Sequence, residues 1–82
     1  MNLSKIDIII LKDLHTKNKN SFLKSASLQE LIAYKSNILK PNSLYKRIIQ
    51  LKKQGLLQEG AKDGKMKSYY ITDLGIEVVN KF

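Results

Sequence analysis

The segment from Pro41 to Gly55 limits the fold more than any other. Proline suits the first position of a helix, where its missing N–H leaves no bond unmade, and glycine is favoured just past the last turn. Between them Leu44, Ile48 and Leu51 repeat at i, i+4, i+7, the apolar stripe of one amphipathic helix, with Tyr45 beside it. Lys52 and Lys53 then supply the positive last turn that a helix carboxy terminus favours. This helix lies within an acid-free region: the 28 residues from Leu31 to Gln58 hold six Lys or Arg and no Asp or Glu.

The flanking elements follow from caps and periodicity. Ser4, with Asp7 three positions on, predicts a capped first helix to about Lys17. Leu3, Ile6, Ile10 and Leu14 make its stripe, and Ile8, Ile9 and Leu11 widen the apolar surface. The excess fits either an intersubunit contact or a central helix covered by its neighbours. Residues 16–25 read as a solvated loop with Phe22 and Leu23 turned inward. Ser27 and Glu30 form a second capping-box pattern, opening a short helix to about Tyr34 that buries Leu28, Leu31 and Ile32. Residues 36–40 connect it to Pro41.

Beyond Gly55, residues 56–59 and 67–71 can pair as antiparallel strands around the turn-rich, hydrophilic stretch 60–65. Thr72 caps a last helix with Leu74, Val78 and Phe82 facing inward and Ile76 and Val79 broadening the stripe. Gly75 inside it costs about 1 kcal/mol relative to alanine, so this helix needs tertiary support.

Length and composition set the scale. With 82 residues, 43% of them hydrophobic, the chain is expected to form one domain, residues 1–82, around one core. Fifteen Lys plus Arg against seven Asp plus Glu leave a net charge of +8, a field that attracts polyanions. The absence of Cys excludes disulfides, thiolate metal sites and cysteine nucleophiles. The apolar run Ile8 to Leu11 is far short of the roughly 20 residues that span a bilayer. The start, Met1 to Asp7, lacks the basic stretch and long apolar run of a signal peptide, so a cytoplasmic, nucleoid-associated location is expected.

The expected class is therefore α+β, mainly α: three helices, a two-stranded β-wing and a C-terminal helix, the order of a winged helix-turn-helix. The residues Leu44-Tyr45-Lys46-Arg47-Ile48, Leu51, Gly55-Leu56-Leu57 and Tyr69-Tyr70-Ile71-Thr72-Asp73-Leu74-Gly75 resemble those of PadR-like and MarR-like winged-helix regulators. The resemblance covers about Leu28 to Val79, and the Tyr-x-x-Thr-x-x-Gly exit from the wing looks closest to PadR. It implies a DNA-binding transcriptional regulator.

The residues support the same expectation by themselves. A recognition helix presents its amino-terminal half to base edges in the major groove while its opposite stripe packs inward. With Leu44, Ile48 and Leu51 inside, the outward candidates are Asn42, Ser43, Lys46, Arg47 and Gln50. Arg47 suits bidentate pairing with guanine, Asn42 or Gln50 with adenine, and Lys46 with guanine or phosphate. Tyr45 has two readings, a core ring whose hydroxyl reaches a phosphate or a direct DNA contact. Lys62, Lys65 and Lys67 are expected on phosphates beside the groove, and Lys40 with the helix amino terminus as a phosphate clamp.

Catalytic and metal chemistry find little support. His15 is the sole histidine and is expected on the surface; no Gly-rich phosphate loop or nucleophile-base set is present. No enzyme, cofactor or metal is expected. The expected partners are double-stranded DNA and a second copy bound through the first helix, the last helix or both. An alternative role is a plasmid or phage partition or replication adaptor that binds repeated DNA sites and a partner protein.

Overall fold

A computed structural model describes residues 3–35, 40–61, 64 and 66–81. Four helices and three strands follow in the order α1 (Lys5–Thr16), β1 (Ala26–Ser27), α2 (Leu28–Lys35), α3 (Pro41–Lys53), β2 (Leu57–Glu59), β3 (Ser68–Ile71) and α4 (Asp73–Val79). This is the α+β, mainly helical, winged-helix architecture that the sequence predicts.

The cap chemistry is as read. Ser4 Oγ accepts from the Asp7 amide at 3.2 Å, and Asp7 Oδ2 accepts from the Ser4 amide at 3.0 Å, a complete capping box on α1. At the end of α3, Gly55 adopts φ +80°, its amide donates to the Lys52 carbonyl and the Leu56 amide donates to the Leu51 carbonyl, each at 3.0 Å. That bond pair is a Schellman closure, and the buried side chains of Leu51 and Leu56 supply its usual apolar contact. Asn18, at φ +59°, closes α1 in the same way, with Lys19 donating to the Leu14 carbonyl at 2.9 Å.

The sheet has one strand more than expected. Its order is β1-β3-β2, all antiparallel, with Ala26 opposite Tyr69, Ser27 opposite Ser68, Leu57 opposite Ile71 and Glu59 opposite Tyr69. β1 is two residues long, too short to show a period, and Ser27 also caps α2 by accepting from the Glu30 amide at 3.1 Å. Pinning that loop to the wing changes the fate of Phe22 and Leu23. They do not turn inward: they are 58% and 83% exposed. The Phe22 carbonyl accepts from the Ala61 amide at 2.8 Å, and buried Ala26 already closes the core at this edge.

The core gathers Ile10, Leu11 and Leu14 of α1, Leu31 of α2, Leu44, Ile48 and Leu51 of α3, and Leu56, Leu57, Tyr69, Ile71 and Val79. Each fully buried leucine or isoleucine is worth about 1.5–3 kcal/mol, so the α3 stripe anchors that helix firmly. α1 packs on α4 and β3, while α3 packs on α2 and β2. Ile8 and Ile9 are half-buried in the single chain.

α4 corrects a second expectation. Leu74 is 43% exposed instead of facing inward, while Gly75 and Val79 are buried and Ile76 and Val78 pack half-buried against the core as expected. A Cβ on Gly75 would lie 2.5 Å from the Leu56 carbonyl oxygen and 2.6 Å from Ile71 Cγ1. The helix thus approaches the core through its glycine, which rotates Leu74 outward. α2 runs to Lys35; the side chain of Ile32, the connection 36–39 and Phe82 lie outside the described residues.

Candidate nucleic-acid interface

The inner stripe of α3 dictates its outer face. With Leu44, Ile48 and Leu51 buried, Asn42, Ser43, Lys46 and Gln50 are exposed. Asn42, Lys46 and Gln50 stand four residues apart along one ridge, with Ser43 next to it. The 13 residues of α3 make a rod about 20 Å long. Its first turn contains no acid, and its exposed N-cap residue, Lys40, makes no side-chain cap bond. The amide end of the helix thus faces outward with positive charge around it, a setting suited to an anion. Tyr45 is 39% exposed at the flank.

Arg47 departs from this row. Its Nε donates to Asp7 Oδ1 at 3.0 Å, and its Nη2 donates to Asp7 Oδ2 at 2.8 Å and to Ser4 Oγ at 2.7 Å. The fork that the sequence assigned to guanine is occupied by the α1 capping box. Asp7 is buried, whereas Arg47 remains partly exposed. Ser4 and Asp7 are thus part of the α3 environment, a connection the sequence reading did not make. One signal was available: Asp7 lies among Leu3, Ile6, Ile10 and Leu14 on the buried face of α1, and a buried carboxylate requires a cationic or hydrogen-bonding partner.

The wing is joined to the end of α3 by charge. Glu59 on β2 pairs with Lys52 at 3.2 Å and with Lys67 at 3.5 Å. The Lys52 ammonium, hydrogen-bonded to Glu59, holds its carboxyl below the usual carboxylate range; desolvation opposes this and Lys67 adds to it. Lys67 is exposed, and a pair this open is weak enough to yield to a phosphate. Lys62 and Lys65 lie outside the described residues.

His15 is half-buried rather than on the surface, and its Nδ1 has no hydrogen-bond partner among the described residues. No cluster of three His, Cys, Asp or Glu that could hold a metal ion occurs among the described residues. No described helix is long and apolar enough to cross a membrane.

No protein-family model matches the sequence, and no curated protein matches it. Solved structures do. TubR from Bacillus megaterium pBM400 superposes with a TM-score of 0.84 at 19% identity, covering 98% of this chain and 86% of that one. The DNA-binding TubR fragment from Clostridium botulinum gives 0.75 at 27% identity, covering 99% and 98%. The hsRosR-S4 complex structure gives 0.73 at 20% identity, covering 98% and 67%. At 19% and 20% identity the first and third likenesses concern the fold alone.

Proposed function

We propose that this protein is a sequence-specific double-stranded DNA-binding protein acting as a homodimeric transcriptional regulator, in the simplest case a repressor that occludes a promoter. One observation carries the reading. The outer ridge of α3 exposes Asn42, Ser43, Lys46 and Gln50 beside an acid-free helix start, while its inner stripe is locked in the core. Asn42 and Gln50 match the edge of adenine, Lys46 matches guanine or phosphate, and Lys40 with the free amides of the first turn receives a phosphate. Tyr45 stands beside that phosphate path. Lys62, Lys65 and Lys67 neutralise the backbone along the wing.

The DNA-binding TubR fragment, at 27% identity over nearly the whole chain, supports this use of the fold. The PadR-like and MarR-like motif resemblance supports regulation as its purpose, with binding and no enzymatic step. Dimerisation through α1, α4 or both would place two α3 helices on half-sites about 34 Å apart or a multiple of that.

A salt titration with labelled duplexes tests the reading. Duplex binding should weaken linearly in log–log form as salt rises, with a slope of about −0.9 per phosphate contacted. Binding that ignores salt, or an equal preference for single strands, contradicts it.

A second reading keeps the interface and changes its use: a plasmid or phage partition or replication adaptor that coats repeated sites and presents a surface to a partner protein. The DNA-binding TubR fragment at 27% identity supports the DNA-binding half of this reading. Cooperative filling of tandem sites, absent on a single site, separates it from simple repression.

A further inference from the structure

Arg47 is flanked on α3 by the outward Lys46, yet its guanidinium turns away from the ridge and onto α1. Both Asp7 carboxylate oxygens accept from it, and Ser4 Oγ accepts from the same Nη2 that meets Oδ2. Asp7 is 3% exposed. A planar fork against a desolvated carboxylate is directional as well as strong, so it fixes both separation and rotation of the two helices it joins. The fixed points are the capped first turn of α1 and the middle of α3, forty positions apart in sequence.

Resting on the reading of α3 as the DNA-facing helix, we infer that Asp7 and Arg47 are a positioning pair that sets how α3 is presented to DNA and withholds the Arg47 charge from it. Asp7 is thereby a specificity determinant that does not touch the ligand. Its carboxylate cancels a cation that would otherwise bind any phosphate within reach. The consequence is that Arg47 releases no counterion when DNA binds, although it sits on the binding helix.

The test uses the full chain with Asp7→Asn, Arg47→Met and the double variant, each checked for folding by circular dichroism. Affinity is measured from 50 to 200 mM salt on the preferred duplex and on mixed-sequence duplex. Arg47→Met is expected to weaken the preferred duplex severalfold with the salt slope unchanged. Asp7→Asn frees the guanidinium, so its slope should steepen by about one unit, an extra threefold or so over that salt range. Its mixed-sequence affinity should rise, and the ratio of preferred to mixed binding should shrink. A slope that falls by about one unit in Arg47→Met overturns the inference, because Arg47 then touches phosphate. An Asp7→Asn protein identical to wild type in slope and ratio also overturns it. Should Arg47→Met fail to fold, the near-isosteric Asp7→Asn decides by the same two readouts. Wild-type protein that binds no duplex removes the DNA reading itself, whereas wild-type binding with an indifferent Asp7→Asn removes only the positioning pair.

Discussion

Thr72 donates its hydroxyl hydrogen to the carbonyl oxygen of Gly55 at 2.6 Å, joining the residue that opens α4 to the residue that closes α3. Thr72 Oγ1 in turn accepts from the Gly75 amide at 3.1 Å as the α4 cap, and the Thr72 amide donates to the Leu56 carbonyl at 3.0 Å. One side chain thus fixes where the proposed recognition helix stops relative to the rest of the core. Thr72→Ala is expected to lower stability by about 1–2 kcal/mol in urea unfolding, and Thr72→Ser by much less.

Gly75→Ala sets helix propensity against packing. Propensity alone favours alanine by about 1 kcal/mol. The new methyl, however, would meet the Leu56 carbonyl oxygen at 2.5 Å and Ile71 Cγ1 at 2.6 Å, and the first of these is backbone that cannot swing aside. Overpacking of this kind costs about 1–3 kcal/mol, so a net loss of stability is expected. Thermal unfolding of the variant checks the sign.

Tyr69 is fully buried, and its hydroxyl has no hydrogen-bond partner among the described residues. A buried unsatisfied group costs about 1–3 kcal/mol, so Tyr69→Phe should leave stability unchanged or raise it by about 1 kcal/mol. Burial pushes the Tyr69 phenol up, with Tyr45 and Glu59 adding to the shift. A folded pKa above the unfolded value of about 10 gives a contribution that is intact below that pH and lost as pH rises through the folded value. Wild-type stability should therefore fall more steeply above about pH 10 than that of Tyr69→Phe, as urea midpoints across the alkaline range would record.

Gln50 on the α3 ridge and Lys65 between β2 and β3 should separate by role. Gln50→Ala is expected to cost about 1–3 kcal/mol on the preferred duplex and to relax preference at one base pair. Lys65→Ala should weaken all duplexes alike and reduce the salt slope by about one unit. Binding measured on a set of single-base variants at several salt concentrations distinguishes the two.

What could be read from the sequence was local. Pro41, Gly55 and the stripe Leu44, Ile48, Leu51 define α3 because caps and periodicity act over one helix, and the same holds for Ser4 and Asp7 on α1. The features that escaped are tertiary. β1 consists of Ala26 and Ser27, which carry no strand pattern and become a strand only because β3 lies alongside. Leu74 faces outward because Gly75 must approach Leu56, a contact across two elements. Arg47 has the chemistry of a guanine reader, and only the position of Asp7 on α1 redirects it. At the interface the sequence identified the residue types of the ridge, while the orientation of each side chain depended on what else competed for it.

Selection of bound sequences from random duplex DNA, followed by footprinting of the enriched site, decides whether α3 reads DNA sequence. The expected result is a defined motif repeated with two-fold symmetry, half-sites about 34 Å or a multiple apart, and protection centred on major grooves. Recovery of no motif, with equal protection of every sequence, would contradict sequence reading by α3 and reduce the protein to a nonspecific polyanion binder.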